Sequence, residues 1–293
     1  MANIISLHCE LVTKKYSHSA YQHFKISDPK PRDIHKASVR DRLLHHALHR
    51  MLSPFFIKTF ISDSNSCQIG KGTHRALKRF EQFTRAVSQN NTHTTWVLKC
   101  DIRKFFANID QTILLAIISR YIPDQDITWL LGVIIGSFNS GTKSVGLPLG
   151  NLTSQLFVNI YMNEFDQFVK HKLKAKYYIR YADDFVIMHR DKDILMDILP
   201  KVKSFLSEQL KLSLHPDKVF IKTGASGVDF LGWVHFPNHR VLRTTTKRRM
   251  FKRMKMSEGK SEVVSSYLGL ISHGNSKKLK RRIEIEFIIS EAL

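Results

Sequence analysis

Two adjacent carboxylates, Asp183 and Asp184, sit in Tyr181-Ala182-Asp183-Asp184, inside the stretch KYYIRYADDFVIMHR. Runs of β-branched and aromatic residues flank a short polar break there, which predicts a β-hairpin with both acids at its tip. Side by side they repel each other, and bound cations relieve that repulsion. A solvated turn is the competing reading of this stretch alone, because Asp is common in turns. A third acid, Asp101, ends the strand predicted for Trp96, Val97, Leu98 and Cys100 in WVLKCDIRKFFANID. If these strands pair in one antiparallel sheet, the three carboxylates converge at one edge. Such an oxygen-only donor set suits two hard divalent cations. A pair of Mg²⁺ ions activates an attacking 3′-hydroxyl and stabilises a leaving pyrophosphate.

The elements that must position these acids follow from periodicity and punctuation. Residues 1–21 are polar and weakly patterned, which predicts a mobile terminus. Residues 21–34 read as a hairpin broken at Pro29 and Pro31, with Lys30 and Arg32 making a basic tip. Leu43, Leu44, Ala47, Leu48, Met51 and Leu52 recur at helical spacing, and Pro54 is expected to stop that helix. Its His45, His46 and His49 read as helix-face residues rather than metal ligands, since no second ligand cluster accompanies them. Gly70-Lys71-Gly72 opens a basic helix from about Thr73. The turn is either an anion site at a helix N-terminus or an ordinary cap. A helix runs from Gln111 to about Tyr121, closed by Pro123. The Gly/Pro-punctuated loop VGLPLGNLTSQ leads into a strongly amphipathic helix, with Thr153 or Ser154 as its N-cap. Another helix covers residues 194–210, and residues 228–236 alternate like a single strand.

The composition narrows the partner. The chain of 293 residues carries 46 Lys and Arg against 25 Asp and Glu, a net charge of +21. Such an excess costs self-repulsion, which a polyanion compensates: nucleic acid first, an anionic membrane second. Lys247, Arg248, Arg249, Lys252, Arg253 and Lys255 crowd one segment near the C-terminus, and Lys277 to Arg282 another, around an apolar face at residues 267–271. A basic amphipathic helix can lie on a membrane, but the upstream acids make a nucleic-acid backbone the better partner. No apolar run approaches the roughly 20 residues of a bilayer span, and no signal peptide is read at the N-terminus. Cys9, Cys67 and Cys100 are odd in number, far apart and without metal-ligand spacing, which fits a reducing cytoplasm. The three acids and the charge together call for a nucleic acid and a nucleoside triphosphate.

The ordered set LKCDIRKFF, GLPLGNLTSQ, YADDF, LHPDK and FLGW resembles the palm motifs of reverse transcriptases, and RDRLLHHAL with SCQIGKGTH resembles their fingers motifs. The resemblance runs from about Tyr21 to the C-terminus. Where retroviral and intron enzymes generally read Pro-Gln-Gly and then Ser-Pro, this chain reads Pro148-Leu149-Gly150 and then Ser154-Gln155. That variant looks like the enzymes of diversity-generating retroelements, which copy a template-repeat RNA with frequent errors opposite adenine. The fold implied is α+β, a right-hand polymerase: fingers over 1–93, palm over 94–114 and 148–236, a fingers insertion over 115–147, and a basic helical thumb over 237–293.

The resemblance implies a role for each matching residue. Asp101, Asp183 and Asp184 become the metal ligands, completed by the Ile102 carbonyl, with two Mg²⁺ ions or Mn²⁺ in their place. Phe106 falls under the sugar of the incoming nucleotide, where its ring would exclude a 2′-OH; Phe105 is the alternative, and a plain core pair of Phe is the other reading. Lys71 meets the triphosphate with Arg75, while Leu149, Gly150 and Gln155 belong to the nucleotide pocket. Lys218 approaches the leaving phosphate, and Lys247, Arg248, Arg249 and Arg253 hold nucleic acid. Gln68 departs from a fingers position that is often basic in relatives, which shifts triphosphate contact onto Lys71 and Arg75. Relatives also carry more chain ahead of the segment matching Tyr21. The partners implied are an RNA template, a DNA or RNA primer, dNTPs and a small basic accessory protein, with no membrane. The rivals are a group II intron-like or antiphage reverse transcriptase, and a non-catalytic nucleic-acid-binding protein on a polymerase scaffold.

Overall fold

A computed structural model describes residues 2–27 and 31–287. The acids are carried by a four-stranded sheet. Its strands are β3 (Trp96–Asp101), β4 (Tyr177–Tyr181), β5 (Asp184–His189) and β6 (Phe220–Thr223), in the order β4-β5-β3-β6. Val97, Leu98, Cys100, Tyr178, Ile179 and residues 185–188 are buried, so the middle of this sheet is core and its ends carry the polar groups. A two-residue tip, Ala182-Asp183, joins β4 to β5. Ala182 takes the left-handed region at φ +54°, a conformation that costs an L-residue energy unless its surroundings hold it.

Helices pack around these strands. α2 (Val39–Ile57) lies against α6 (Leu152–Gln167), and α4 (Gln111–Tyr121) packs on α5 (Gln125–Gly136) and on α6. α6 is buried along nearly its whole length, and a π-helical turn, Phe168–Lys172, extends it. A hairpin of β1 (Gln22–Ile26) and β2 (Arg32–Lys36) pairs antiparallel from Gln22 opposite Lys36 to Ile26 opposite Arg32. Pro29 and Lys30, expected at its tip, lie outside the described residues. Later in the chain come α7 (Lys192–Gln209) and a second sheet of β7 (Val228–Phe230), β8 (Trp233–His235) and β9 (Arg240–Leu242). Three helices follow: α8 (Thr244–Met256), α9 (Ser261–Ile271) and α10 (Lys277–Phe287).

The chain divides into two compact units. One comprises Met1–Ala76, Lys99–Ile187 and Met196–Val219; the other comprises Leu77–Leu98, Met188–Leu195 and Phe220–Leu293. No helix of the described residues is long and apolar enough to cross a membrane.

Four local expectations are corrected. The N-terminus holds a helix, α1 (Ala2–Val12), which buries Leu7 and pairs Glu10 with Arg40 of α2. Pro54 does not stop α2, which runs to Ile57. A proline in the last turn forfeits a single backbone bond, and Phe56, only 1% exposed, anchors that turn in the core. Helix α6 starts at Leu152 with Asn151 before it, so neither Thr153 nor Ser154 is the cap. The Asn151 amide instead donates to the His35 carbonyl and accepts from Ala37 N–H, tying the loop to β2. Residues 228–236 form two strands rather than one. Leu231 at φ +50° and Gly232 at φ +85° make a tight reversal that pairs Val228 with His235, the geometry that two-residue hairpins favour.

Candidate active site

Asp101 closes β3, while Asp183 ends the turn before the neighbouring strand β5 and Asp184 opens that strand. One backbone bond fastens the two ends: Ile102 N–H donates to the Asp183 carbonyl at 3.0 Å. The segment carrying LHPDK lines up on the other side. His215 N–H donates to the Asp101 carbonyl at 2.7 Å, and Arg103 N–H donates to the Ser213 carbonyl at 2.9 Å. A short 3₁₀ turn, Pro216–Lys218, is capped by the His215 ring, which accepts from Asp217 N–H. That turn delivers Lys218 Nζ to Asp101 Oδ1 at 2.9 Å. The expected group Asp101, Ile102, Asp183, Asp184 and Lys218 therefore sits together.

The electrostatics are those of acids forced to share a site. Burial and then the Asp101 charge raise the Asp183 pKa. Burial pushes Asp184 up to about 7, against the pull of Lys99 and with a smaller push from Asp101 and Asp183. Lys99, 7% exposed, places Nζ 3.0 Å from Asp184 Oδ1. That ammonium is the cation that compensates the Asp184 charge. Among the described residues no three His, Cys, Asp or Glu side chains are drawn close enough to hold a metal ion as they stand. Two of the carboxylates face ammonium groups instead of one another. The donor set nonetheless fits hard cations: three carboxylates with no sulfur or imidazole, where the Lys99 and Lys218 ammonium groups hold places that divalent cations would take.

Around this centre, Phe105 is buried and Phe106 half-buried, their rings edge to face at 5.6 Å. The Phe106 carbonyl accepts from Leu147 N–H, and Gly146 N–H donates to the Ile109 carbonyl, each at 2.8 Å. The GLPLG loop is thereby stitched to the turn after β3. Leu149 is half-buried, and its carbonyl accepts from His35 N–H of β2 at 2.9 Å. Gly150, at φ +115°, lies so near β2 that a Cβ would meet Ile34 at 2.8 Å; only glycine fits. Gln155 is half-buried in the first turn of α6.

Lys71 is placed differently from an open triphosphate ligand. Its Nζ donates to the carbonyls of Ser64 at 3.0 Å and Ile61 at 3.3 Å. Burial and then the nearby Arg75 charge lower its pKa to about 8. Arg75 donates to Ser62 Oγ, and Gln68 turns its amide inward onto Ser64. The helix α3 (Thr73–Ser88) starts immediately after, its first hydroxyl 3.3 Å from Tyr181 Oη.

The basic residues of α8 separate into two groups. Lys247, Arg248, Lys252 and Lys255 face Lys278 and Arg282 of α10 across a groove of about 610 Å³ floored by Phe251 and Leu279. Arg249 and Arg253 do not line it. Two functional candidates escaped the sequence reading. Lys99 lies two residues before Asp101, so strand alternation puts both on one face; that signal was available. Arg180 is a fully buried charge inside β4, and a charge within YYIRY was its only mark.

Comparison with known proteins bears on the fold and family. Telomerase from Candida albicans, solved with a TWJ fragment of telomeric RNA, matches with a TM-score of 0.61 at 12% identity over 94% of this chain and 55% of its own. Apo telomerase from Candida tropicalis, truncated from its C-terminal domain, matches at 0.59 and 12% identity over 82% and 60%. The fold is thus that of right-hand polymerases. Protein YkfC of Escherichia coli is 24% identical over 75% of this chain and 66% of its own length. The group II intron-encoded protein LtrA of Lactococcus lactis is 23% identical over 78% and 47%. The chain therefore spans less than two thirds of the length of these relatives. Residues 25–235 match the family described as reverse transcriptase (RNA-dependent DNA polymerase), and with most of its length inside that match the chain belongs to the reverse transcriptase family.

Proposed function

We propose that this chain synthesises DNA on an RNA template from dNTPs. The observation that supports the reading is that Asp101 ends β3 beside the turn and strand start that carry Asp183 and Asp184, with Lys99 and Lys218 paired to Asp184 and Asp101. Those carboxylates, with the Ile102 carbonyl, would hold two Mg²⁺ ions, or Mn²⁺ in their place. Bound there, such ions activate a primer 3′-hydroxyl and neutralise charge on the leaving pyrophosphate. Lys218 is the side chain nearest Asp101 that can follow the leaving phosphate. Phe106 is the half-buried ring of its pair, and it is the one that can lie under the incoming sugar. Lys71 and Arg75 supply triphosphate contacts once Lys71 exchanges its two carbonyl partners for phosphate oxygens. Leu149, Gly150 and Gln155 wall the nucleotide pocket. The right-hand assignment proposed is fingers over 1–93, palm over 94–114 and 148–236 with an insertion over 115–147, and thumb from 237.

Two finer readings divide the same active site. Leu149 and Gln155 favour error-prone copying of a template-repeat RNA, whereas similarity to LtrA favours a group II intron-like enzyme. A glutamine at position 149 could hydrogen-bond near the nucleotide, whereas leucine cannot, and one such bond is worth on the order of 1 kcal/mol. Sequencing cDNA copied from one defined RNA tests both levels. Full-length cDNA supports the polymerase. Substitutions concentrated opposite template adenines, and reduced several-fold by Leu149→Gln, support the error-prone role; equal and low error at all four bases removes it and leaves the polymerase standing.

A further inference from the structure

The bulkiest side chain fully withdrawn from solvent is Arg180 of β4. Every N–H of its guanidinium has an acceptor. Nε and Nη2 fork onto the two Asp166 oxygens at 2.8 and 2.6 Å. Nη2 also reaches Ser64 Oγ at 3.0 Å, and Nη1 reaches Asn159 Oδ1 at 3.3 Å and the Ala182 carbonyl at 3.1 Å. Asp166 is completed by the Tyr178 hydroxyl at 2.7 Å. One planar group thus joins α6, the loop before α3 and the tip of the acid-bearing hairpin.

Each of the three tethered pieces bears on the proposed site. Ala182 sits at φ +54°, immediately before Asp183, and such a conformation persists where the surroundings over-determine it. Ser64 is the hub of the loop: its carbonyl accepts from Lys71 Nζ and from the Gln68 amide. The loop is also zipped to β4 by Asn65 N–H to the Arg180 carbonyl at 2.9 Å and Arg180 N–H to the Asp63 carbonyl at 3.0 Å. A buried ion pair adds little stability over well-packed apolar residues, so its value here is geometric. Lysine could hold the charge but not the five-donor fork.

Building on the functional reading above, we propose that Arg180, clamped by Asp166, is a positioning residue. It sets the register between the Asp183-Asp184 tip and the Lys71 loop, and so couples metal-ligand placement to nucleotide binding. Arg180→Lys keeps the buried charge and loses the fork. It should fold, bind a primed RNA template as wild type does, and lose kcat by on the order of 100-fold, the scale of a small misplacement of reacting groups. Ser64→Ala deletes one hydroxyl and leaves the ion pair intact. It should weaken binding of the next dNTP to a dideoxy-terminated primer complex several-fold, a readout independent of turnover. The double variant Arg180→Met/Asp166→Leu should recover the melting temperature lost by Arg180→Met without recovering kcat. Wild-type kcat in Arg180→Lys or in the double variant, or wild-type dNTP affinity in Ser64→Ala, would overturn the proposal. Failure of the wild-type chain to extend any primer would instead overturn the functional reading on which it rests.

Discussion

Phe106 is half-buried while Phe105 is 3% exposed, so the proposed sugar contact falls to Phe106 and the packing role to Phe105. Phe106→Ala should open space for a 2′-OH and raise ribonucleotide incorporation relative to dNTPs, read by competition between the two in primer extension. A fall in activity with unchanged discrimination would assign this ring to packing. Asp184 gives a second residue-scale test. Its folded pKa, about 7 against an ordinary 3.8, means that the fold binds a proton there which the unfolded chain has released. This contribution to stability is therefore present below pH 4 and lost as pH rises through 7. Divalent cations compete with that proton, so the rise in Tm caused by Mg²⁺ should be small at pH 5 and grow to pH 8. A Mg²⁺ effect independent of pH would contradict it. The three acids were legible in the sequence because strand ends and a hairpin tip are local features. Arg180 and Asp166 were not, since what joins residues 64, 159, 166 and 182 is tertiary packing.

Among the elements, α8 carries a sharp expectation. Phosphate contacts release counterions, so affinity for an RNA–DNA duplex should fall steeply with salt. Replacing Arg248, Arg249 and Arg253 with Ala should reduce the log–log slope by roughly 1 for each arginine in contact. Arg248 lines the α8–α10 groove and the other two do not, so the single variants separate the groove from the rest of the helix. An unchanged slope in the triple variant would take α8 off the duplex. Element types were mostly readable from periodicity: α3, α4 and the acid hairpin lie where the spacing put them. The misses have physical causes. α1 is held by its packing on α2, which a polar sequence does not advertise, and Pro54 sits where a helix can spare one bond. Alternation across residues 228–236 concealed a reversal at Leu231-Gly232.

At the scale of the whole molecule, a net charge of +21 suits the nucleic-acid partner that the proposed function requires. The charge was visible in the composition; the five passages of the chain between its two compact units were not. The central claim is that Asp101, Asp183 and Asp184 perform RNA-templated DNA synthesis. The measurement that meets it most directly is primer extension on a defined RNA template with dNTPs and Mg²⁺, run in parallel for the wild-type chain and Asp183→Asn. The account predicts extension by the wild type and none above background by the variant, because an amide cannot supply the charge that the carboxylate gives to the metals. Wild-type-like extension by Asp183→Asn would contradict it.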